Sequence, residues 1–323
     1  MKILRCGFLL LACTASAAVA QGAAPDYPAK FVRFIVPYAP GGSSDVLART
    51  LAQKLGASLG QTFVIDNRPG AGSMLGTDIA AKATPDGYTI ILSDMPHTIN
   101  PSIYAKVPYD PVRDFAPITV IGVSPMFLFV HPSVKAQSVK EFIALAKSQP
   151  GKLAIASGGT GATTHLMAEL LQSHAGIQLT HVPYKGAGPA LTDVVAGQIP
   201  ATFTSMATAA PFAQGGRLRI LGVTSAKRLP AFPNVPTFEE SGVAGMVVEH
   251  WWGVMAPAGV PKPIIDKLRG EIVKAVNATD VRERFAVLAV EPRTITPQQF
   301  QVLLESDVKR WAKVVRDAGI KVE

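Results

Sequence analysis

Apolar positions along the chain alternate between two periods. Phe31-Val32-Arg33-Phe34-Ile35-Val36 is a short apolar run with strand character. It is followed by Asp45 to Leu59, where Val46, Leu47, Leu51, Leu55 and Leu59 recur at helical spacing. Strands are expected over Thr62–Ile65 and Tyr88–Leu92, with a short helix over Thr77–Ala83 between them. The alternation continues with helices over Glu141–Ser148, Thr163–His174 and Pro189–Val195, and strands over Leu153–Ala156, Leu179–Val182, Ala201–Thr204 and Leu218–Val223. Helices over Ile264–Val276, Val281–Leu288 and Pro297–Ala318 close the chain. This order implies α/β layers built on mostly parallel sheets.

Two strand-like stretches read as crossovers: Ile118–Val130, broken by Gly122 and Pro125, and Val247–Ala256, which contains Trp251-Trp252. If both connect the same two bodies, lobe 1 comprises residues 27–124 plus 253–323 and lobe 2 residues 125–252. The tryptophan pair then either stacks an aromatic ligand or packs the hinge, and packing is the expectation.

Composition supports a folded chain. Of 323 residues 48% are hydrophobic and 17% charged, which excludes disorder, and neither a glycine triplet nor a heptad runs through the 28 glycines and 26 prolines. The first twenty residues change the picture. Lys2 and Arg5 precede a charge-free stretch from Gly7 to Val19, and Ala18-Val19-Ala20 is a small-x-small signal before Gln21. The pattern predicts a secretory signal peptide, cleaved after Ala20 and too short to span a bilayer. Its removal takes the net charge from +8 to +6, since Lys2 and Arg5 leave, and removes both cysteines, Cys6 and Cys13. Leu10-Leu11-Ala12-Cys13 is a weak lipobox, so a lipid-anchored form is the alternative. A mature chain without cysteine carries no disulfide, thiolate nucleophile or Cys-bound metal. It is expected to be exported and soluble. Its basic residues are dispersed without arginine stripes or aromatic interleaving, so nucleic acid is not an expected partner.

The candidate chemistry lies in two similar loops. Strand Phe34–Val36 leads through Pro37-Tyr38-Ala39-Pro40-Gly41-Gly42-Ser43-Ser44 into a helix. Strand Leu153–Ala156 leads through Ser157-Gly158-Gly159-Thr160-Gly161-Ala162-Thr163-Thr164 into another. Free amides and the positive end of the macrodipole favour an anion at such helix starts, and glycine admits a ligand to the backbone. One such loop is an ordinary turn; two, one per lobe, would grip a ligand at both ends.

Other motifs carry less. Asn67 to Gly76 has dinucleotide-like glycine spacing but follows the second strand and lacks the acidic partner, so it reads as cleft lining or a tight turn. Gly56-Ala57-Ser58-Leu59-Gly60 matches a hydrolase pattern, but runs from helix to strand rather than strand to helix. It reads as a helix C-terminal turn. His165 and His174 suit no one-face ligand pair and no H-E-x-x-H occurs, so no metal or other cofactor is expected. His97, at the C-terminal edge of the third strand, either lines a cleft or packs.

The ordered segments Ile35 to Asp45, Asn67 to Gly72, Pro85 to Tyr88, His97 to Pro101, Val182 to Gly186, Val223 to Arg228, Pro233 to Thr237 and Ala256 to Pro261 resemble the Bug (TctC-like) solute-binding receptors of tripartite tricarboxylate transporters. The resemblance covers residues 27–323. It implies a non-catalytic, monomeric, two-lobe periplasmic binding protein of Venus-flytrap form that holds a small carboxylate through backbone amides, hydroxyls and water and passes it to membrane subunits. By resemblance, Tyr38, Gly41, Gly42, Ser43 and Ser44 form one pincer. Ser157, Gly161, Ala162, Thr163 and Thr164 form the other, and Ser73, Asp94, His97, Thr204 and Ser205 line the cleft. The chain departs from the family pattern at Ala162, at Met95-Pro96 and at Thr204, which stands where many members carry Asp in a segment associated with amine recognition. These departures suggest a di- or aromatic carboxylate without an amine. A binding protein that reports to a receptor, or an exported serine hydrolase, are the other readings.

Overall fold

In the computed structural model, which describes residues 27–213 and 215–320, two α/β lobes are joined by strands. The chain first builds β1 (Val32–Val36), α1 (Ser43–Leu59), β2 (Phe63–Asn67), a 3-10 turn at Ala71–Ser73, α2 (Met74–Ala81), β3 (Thr89–Asp94), α3 (Pro96–Ile103) and β4 (Phe115–Pro125). It then forms β5 (Phe127–Val130), α4 (Val139–Ser148), β6 (Ala154–Ser157), α5 (Thr163–Ala175), β7 (Thr180–Pro183), α6 (Ala187–Val195), β8 (Ala201–Thr204), α7 (Met206–Ala213) and β9 (Arg219–Val223). It returns through β10 (Glu249–Pro257), α8 (Lys262–Asn277), α9 (Thr279–Val287), β11 (Glu291–Pro292) and α10 (Pro297–Asp317). The signal-peptide segment lies outside the described residues.

The first sheet has six strands in the order β11-β4-β10-β3-β1-β2, the second five in the order β7-β6-β8-β5-β9. Both are mixed rather than mostly parallel. β1 runs parallel to β2 and β3, and β6 parallel to β7 and β8, as helix crossovers require. β10 is antiparallel to β3 and β4, and β5 antiparallel to β8 and β9. The antiparallel half of each sheet contains the strands at which the chain changes lobe, where no helix intervenes to reverse its direction.

Each sheet is covered on both faces. Leu47, Leu51 and Leu55 of α1 and Ile264, Ile265 and Leu268 of α8 share a core with Phe34 and Leu92. Leu191 and Val194 of α6 and Met206 and Ala209 of α7 pack with Phe127 and Phe129. A third core runs through both lobes, from Ile99 and Phe300 by way of Val123, Met126 and Leu128 to Phe142, Leu166 and Leu170. Trp251 and Trp252 are packing residues. Trp252 is fully buried, and Trp251 packs edge-on to Phe300 while its Nε1 donates to Asp307 at 2.8 Å.

The two crossings are tied by Thr224. Its amide donates to the Met126 carbonyl (2.9 Å), its Oγ1 accepts from the Met126 amide (2.9 Å) and donates to the Val248 carbonyl (2.8 Å), and its carbonyl accepts from the Val248 amide (3.0 Å). Glu249 to Trp252, expected in the second lobe, instead pair with Pro125 to Gly122 of β4, because β10 enters the first sheet as soon as it passes this clasp.

Two helices were not anticipated. α3 starts on Pro96 and contains Pro101, and α7 contains Pro211. Pro96 stands at the first helical position, where no bond is lost, whereas Pro101 and Pro211 are each the sixth residue of an eight-residue helix and break the local signal by which a helix is read. The Gly56–Gly60 segment ends α1 as expected: Gly60 adopts a left-handed C-cap (φ 69°) and its amide donates to Gly56 O.

Candidate functional site

A small cavity of about 40 Å³, room for a few water-sized groups, lies between the lobes. Its wall is made largely of helix starts: Gly42, Ser43 and Ser44 at α1, Ala162, Thr163 and Thr164 at α5, Ala187 at α6, and Ser205 just before α7. The N-caps of α1, α5 and α6 are Gly42, Ala162 and Gly186, none of which provides a side-chain cap. No N-cap side chain competes for the first-turn amides; Thr208 Oγ1 takes the Ser43 amide of α1, and the positive dipole ends otherwise point an anion-favouring field at the cavity. The Ser205 hydroxyl, buried in the same wall, has no hydrogen-bond partner. Among the described residues no lysine or arginine lines the cavity. Met126, Ala162 and Ala187 contribute apolar surface.

The first loop is shaped by Asp45. Its Oδ2 accepts from the Gly41 amide (3.1 Å) and from Arg49 Nε (3.0 Å), while Oδ1 accepts from Asn67 Nδ2 (3.0 Å). Burial pushes this carboxyl up, but the bonds from Arg49, Gly41 and Asn67 outweigh it and hold it below its ordinary value. Gly41 therefore serves the loop's shape rather than the cavity wall. Tyr38 turns inward and donates to Asp94 Oδ1 (2.9 Å), and Ser44 donates to Asp94 Oδ2 (3.1 Å).

The second loop rests on a cluster behind it. Ser157 Oγ accepts from the Gly159 amide (3.1 Å) and meets His181 Nε2 at 2.5 Å. The Gly161 amide donates to His165 Nδ1 (3.2 Å), and the His165 and His181 rings stack with centroids 4.0 Å apart. Gly158 donates to Thr164 Oγ1 (2.8 Å). Ser157 and Gly161 thus hold the pincer, whereas Ala162, Thr163 and Thr164 face the cavity together with Thr204 and Ser205. Ser73 lies in an adjoining interlobe space with Tyr38 and Tyr104. His97 packs: Nε2 bonds the Pro111 carbonyl (2.7 Å), and the ring stacks on Tyr109 and meets Phe115 edge-on. Burial lowers its pKa to about 4.

Sequence reasoning missed His250, Met126 and Ala187, whereas Gly158 lies in the expected second loop. His250 Nε2 sits 3.7 Å from Asp94 Oδ2, and Nδ1 sits 3.0 Å from Thr163 Oγ1. Burial drives His250 down to about 3 and Asp94 up to about 7, the latter against the lowering effect of the Tyr38 and Ser44 bonds. The residues of this triad are far apart in sequence, so no local pattern announces them. Ala187 was findable, since Gly186-Ala187-Gly188 is a further glycine loop opening a helix.

The lobes touch across the cleft. The Ala39 amide donates to Lys185 O (2.9 Å), the Ser43 amide to Thr208 Oγ1 (3.0 Å) and Tyr104 OH to Thr160 O (2.7 Å). Glycine permits this approach at Gly188, where a Cβ would stand 2.7 Å from Pro40 O, and at Gly72, where it would stand 2.3 Å from Thr160 O.

Two lobes linked by strands, closed over a cavity walled by uncapped helix starts, define a two-lobed solute-binding protein. Residues 47–320 match the tripartite tricarboxylate transporter family receptor. The chain is 38% identical over 312 residues to Protein BugT of Bordetella pertussis, covering 96% of each chain. It belongs to this receptor family. Among solved structures it is similar to the periplasmic binding protein BugD (33% identity, TM-score 0.88, 92% of this chain and 100% of that one). R. palustris Rpa4515 with adipate gives 35% and 0.88 over 91% and 99%, and Rhodopseudomonas palustris MatC with bound malate 31% and 0.86 over 90% and 100%.

Proposed function

We propose that the chain captures a small carboxylate between its lobes in the periplasm and delivers it, as a non-catalytic monomer, to the membrane subunits of a tripartite transporter. The observation that carries this reading is the convergence of uncapped helix N-termini and the unpartnered Ser205 hydroxyl on one cavity with, among the described residues, no lysine or arginine in its wall. Such a wall suits carboxylate oxygens held by neutral donors. Adipate and malate in the related structures support the ligand class. Met126, Ala162 and Ala187 favour an apolar ligand body, and Thr204 offers no charge to an amine. The moving bodies in this reading are 27–124 with 253–323 and 125–252, extended so that Glu249 to Trp252 travel with the first sheet.

Titration calorimetry with adipate, malate, benzoate, aspartate and glutamate tests the proposal. Binding of one or more amine-free carboxylates, with aspartate and glutamate weaker, is the expected result. Preference for the amino acids would refute the amine-free assignment, and absence of heat with all five would refute carboxylate capture.

A further inference from the structure

We propose that Asp94 is the specificity-determining acid of the cleft: it holds a proton while a carboxylate is bound, so the site takes up the anion together with one proton. This rests on the carboxylate-capture reading. Asp94 ends β3, is 5% exposed, and belongs to the cavity wall. Its two oxygens are met by the hydroxyls of Tyr38 and Ser44, which are neutral donors. The groups facing it are Tyr38 from the β1–α1 loop, Ser44 from α1, His250 from β10 and, at longer range, Tyr109 ahead of β4. His250 is the one basic group among them, and it is only 4% exposed with its other ring nitrogen at Thr163.

An ionised Asp94 and a ligand anion would therefore share this small cavity with no lysine or arginine, among the described residues, between them. The helix N-termini oppose the charge of the ligand's carboxylates, but an ionised Asp94 beside them adds a further buried negative charge that repels the ligand. A proton from solvent on Asp94 removes that charge and gives the carboxyl an O–H to offer a ligand oxygen. The same proton removes the attraction that an ionised acid would have for an ammonium group. Burial already pushes Asp94 to about 7, which supports uptake near neutral pH. The ligand class that follows is an amine-free carboxylate presenting an oxygen acceptor toward β3.

The test is calorimetry of the mature wild-type protein with adipate at pH 6, 7 and 8, in phosphate and in Tris. Net proton uptake should approach one per adipate at pH 8 and vanish at pH 6, with affinity falling by about tenfold per pH unit above the break. Asp94→Asn should show no uptake and a flat profile. Tyr38→Phe, which removes a bond that lowers the Asp94 pKa, should move the break to higher pH. Adipate binding without uptake at pH 8, or uptake that neither variant alters, would overturn the proposal while leaving carboxylate capture standing. Absence of heat with both adipate and malate at pH 6 would overturn both.

Discussion

The hydroxyl of Thr163, in the first turn of α5, lies 3.0 Å from Nδ1 of His250 on β10, so a pincer of the second lobe is bonded to a strand of the first sheet. Both residues are buried, and their bond links the second lobe to the first sheet. Thr163→Val removes it and leaves a buried ring nitrogen unpaired, at a cost of about 1–3 kcal/mol. Ligand affinity should fall by roughly one to two orders of magnitude, with Thr163→Ser close to wild type; calorimetry measures both.

Closure itself depends on Gly188. It lies opposite Pro40 and Gly41 of the first loop, and the atoms a Cβ would meet are backbone that cannot turn aside. Gly188→Ala should leave the thermal midpoint within a few degrees of wild type but hold the lobes apart. Small-angle scattering should then show no compaction on adding ligand, in contrast to the wild-type protein.

Ser205 separates stability from function. Its buried hydroxyl has no partner among the described residues. Removing an unsatisfied buried group is neutral or stabilising by about 1 kcal/mol. Ser205→Ala should accordingly match or exceed wild-type stability in chemical denaturation while binding carboxylate more weakly.

Stability should rise with pH across the acid range and level off near neutrality. His97 and His250 have folded pKa values depressed to about 4 and about 3, so their contribution is complete above their ordinary value of 6.5 and is lost as pH falls toward those values. Asp94 is raised from 3.8 to about 7, so its contribution is complete below 3.8 and is lost as pH rises through 7. Thermal midpoints measured from pH 4 to 9 should rise to about pH 6.5 and be flat above about 7, and Asp94→Asn should steepen the acid limb by removing the opposing loss between 3.8 and 7.

Much of this architecture is written in local patterns. The helical leucine spacing of α1 and the glycine-rich starts of α1 and α5 are visible in sequence because backbone period and conformational freedom are local properties. The mixed sheets were not legible, because the direction of β10 and β5 depends on where the chain changes lobe. Helices α3 and α7 were hidden by Pro101 and Pro211. At the site, Tyr38, Ser44 and Thr163 follow from their loops, whereas His250 reaches Asp94 through sheet pairing that no spacing reveals. The residues alone left His97 open between cleft and packing and the family resemblance put it in the cleft, whereas its bond to Pro111 and its stacking on Tyr109 make it a packing residue.

The central claim is that a carboxylate is held by helix starts rather than by charged side chains. A crystal structure with the tightest-binding carboxylate of the panel tests it most directly. The account predicts ligand oxygens within hydrogen-bond distance of first-turn amides of α1 and α5 and of the Ser205 hydroxyl. A ligand held by lysine or arginine, or seated outside this cavity, would contradict it.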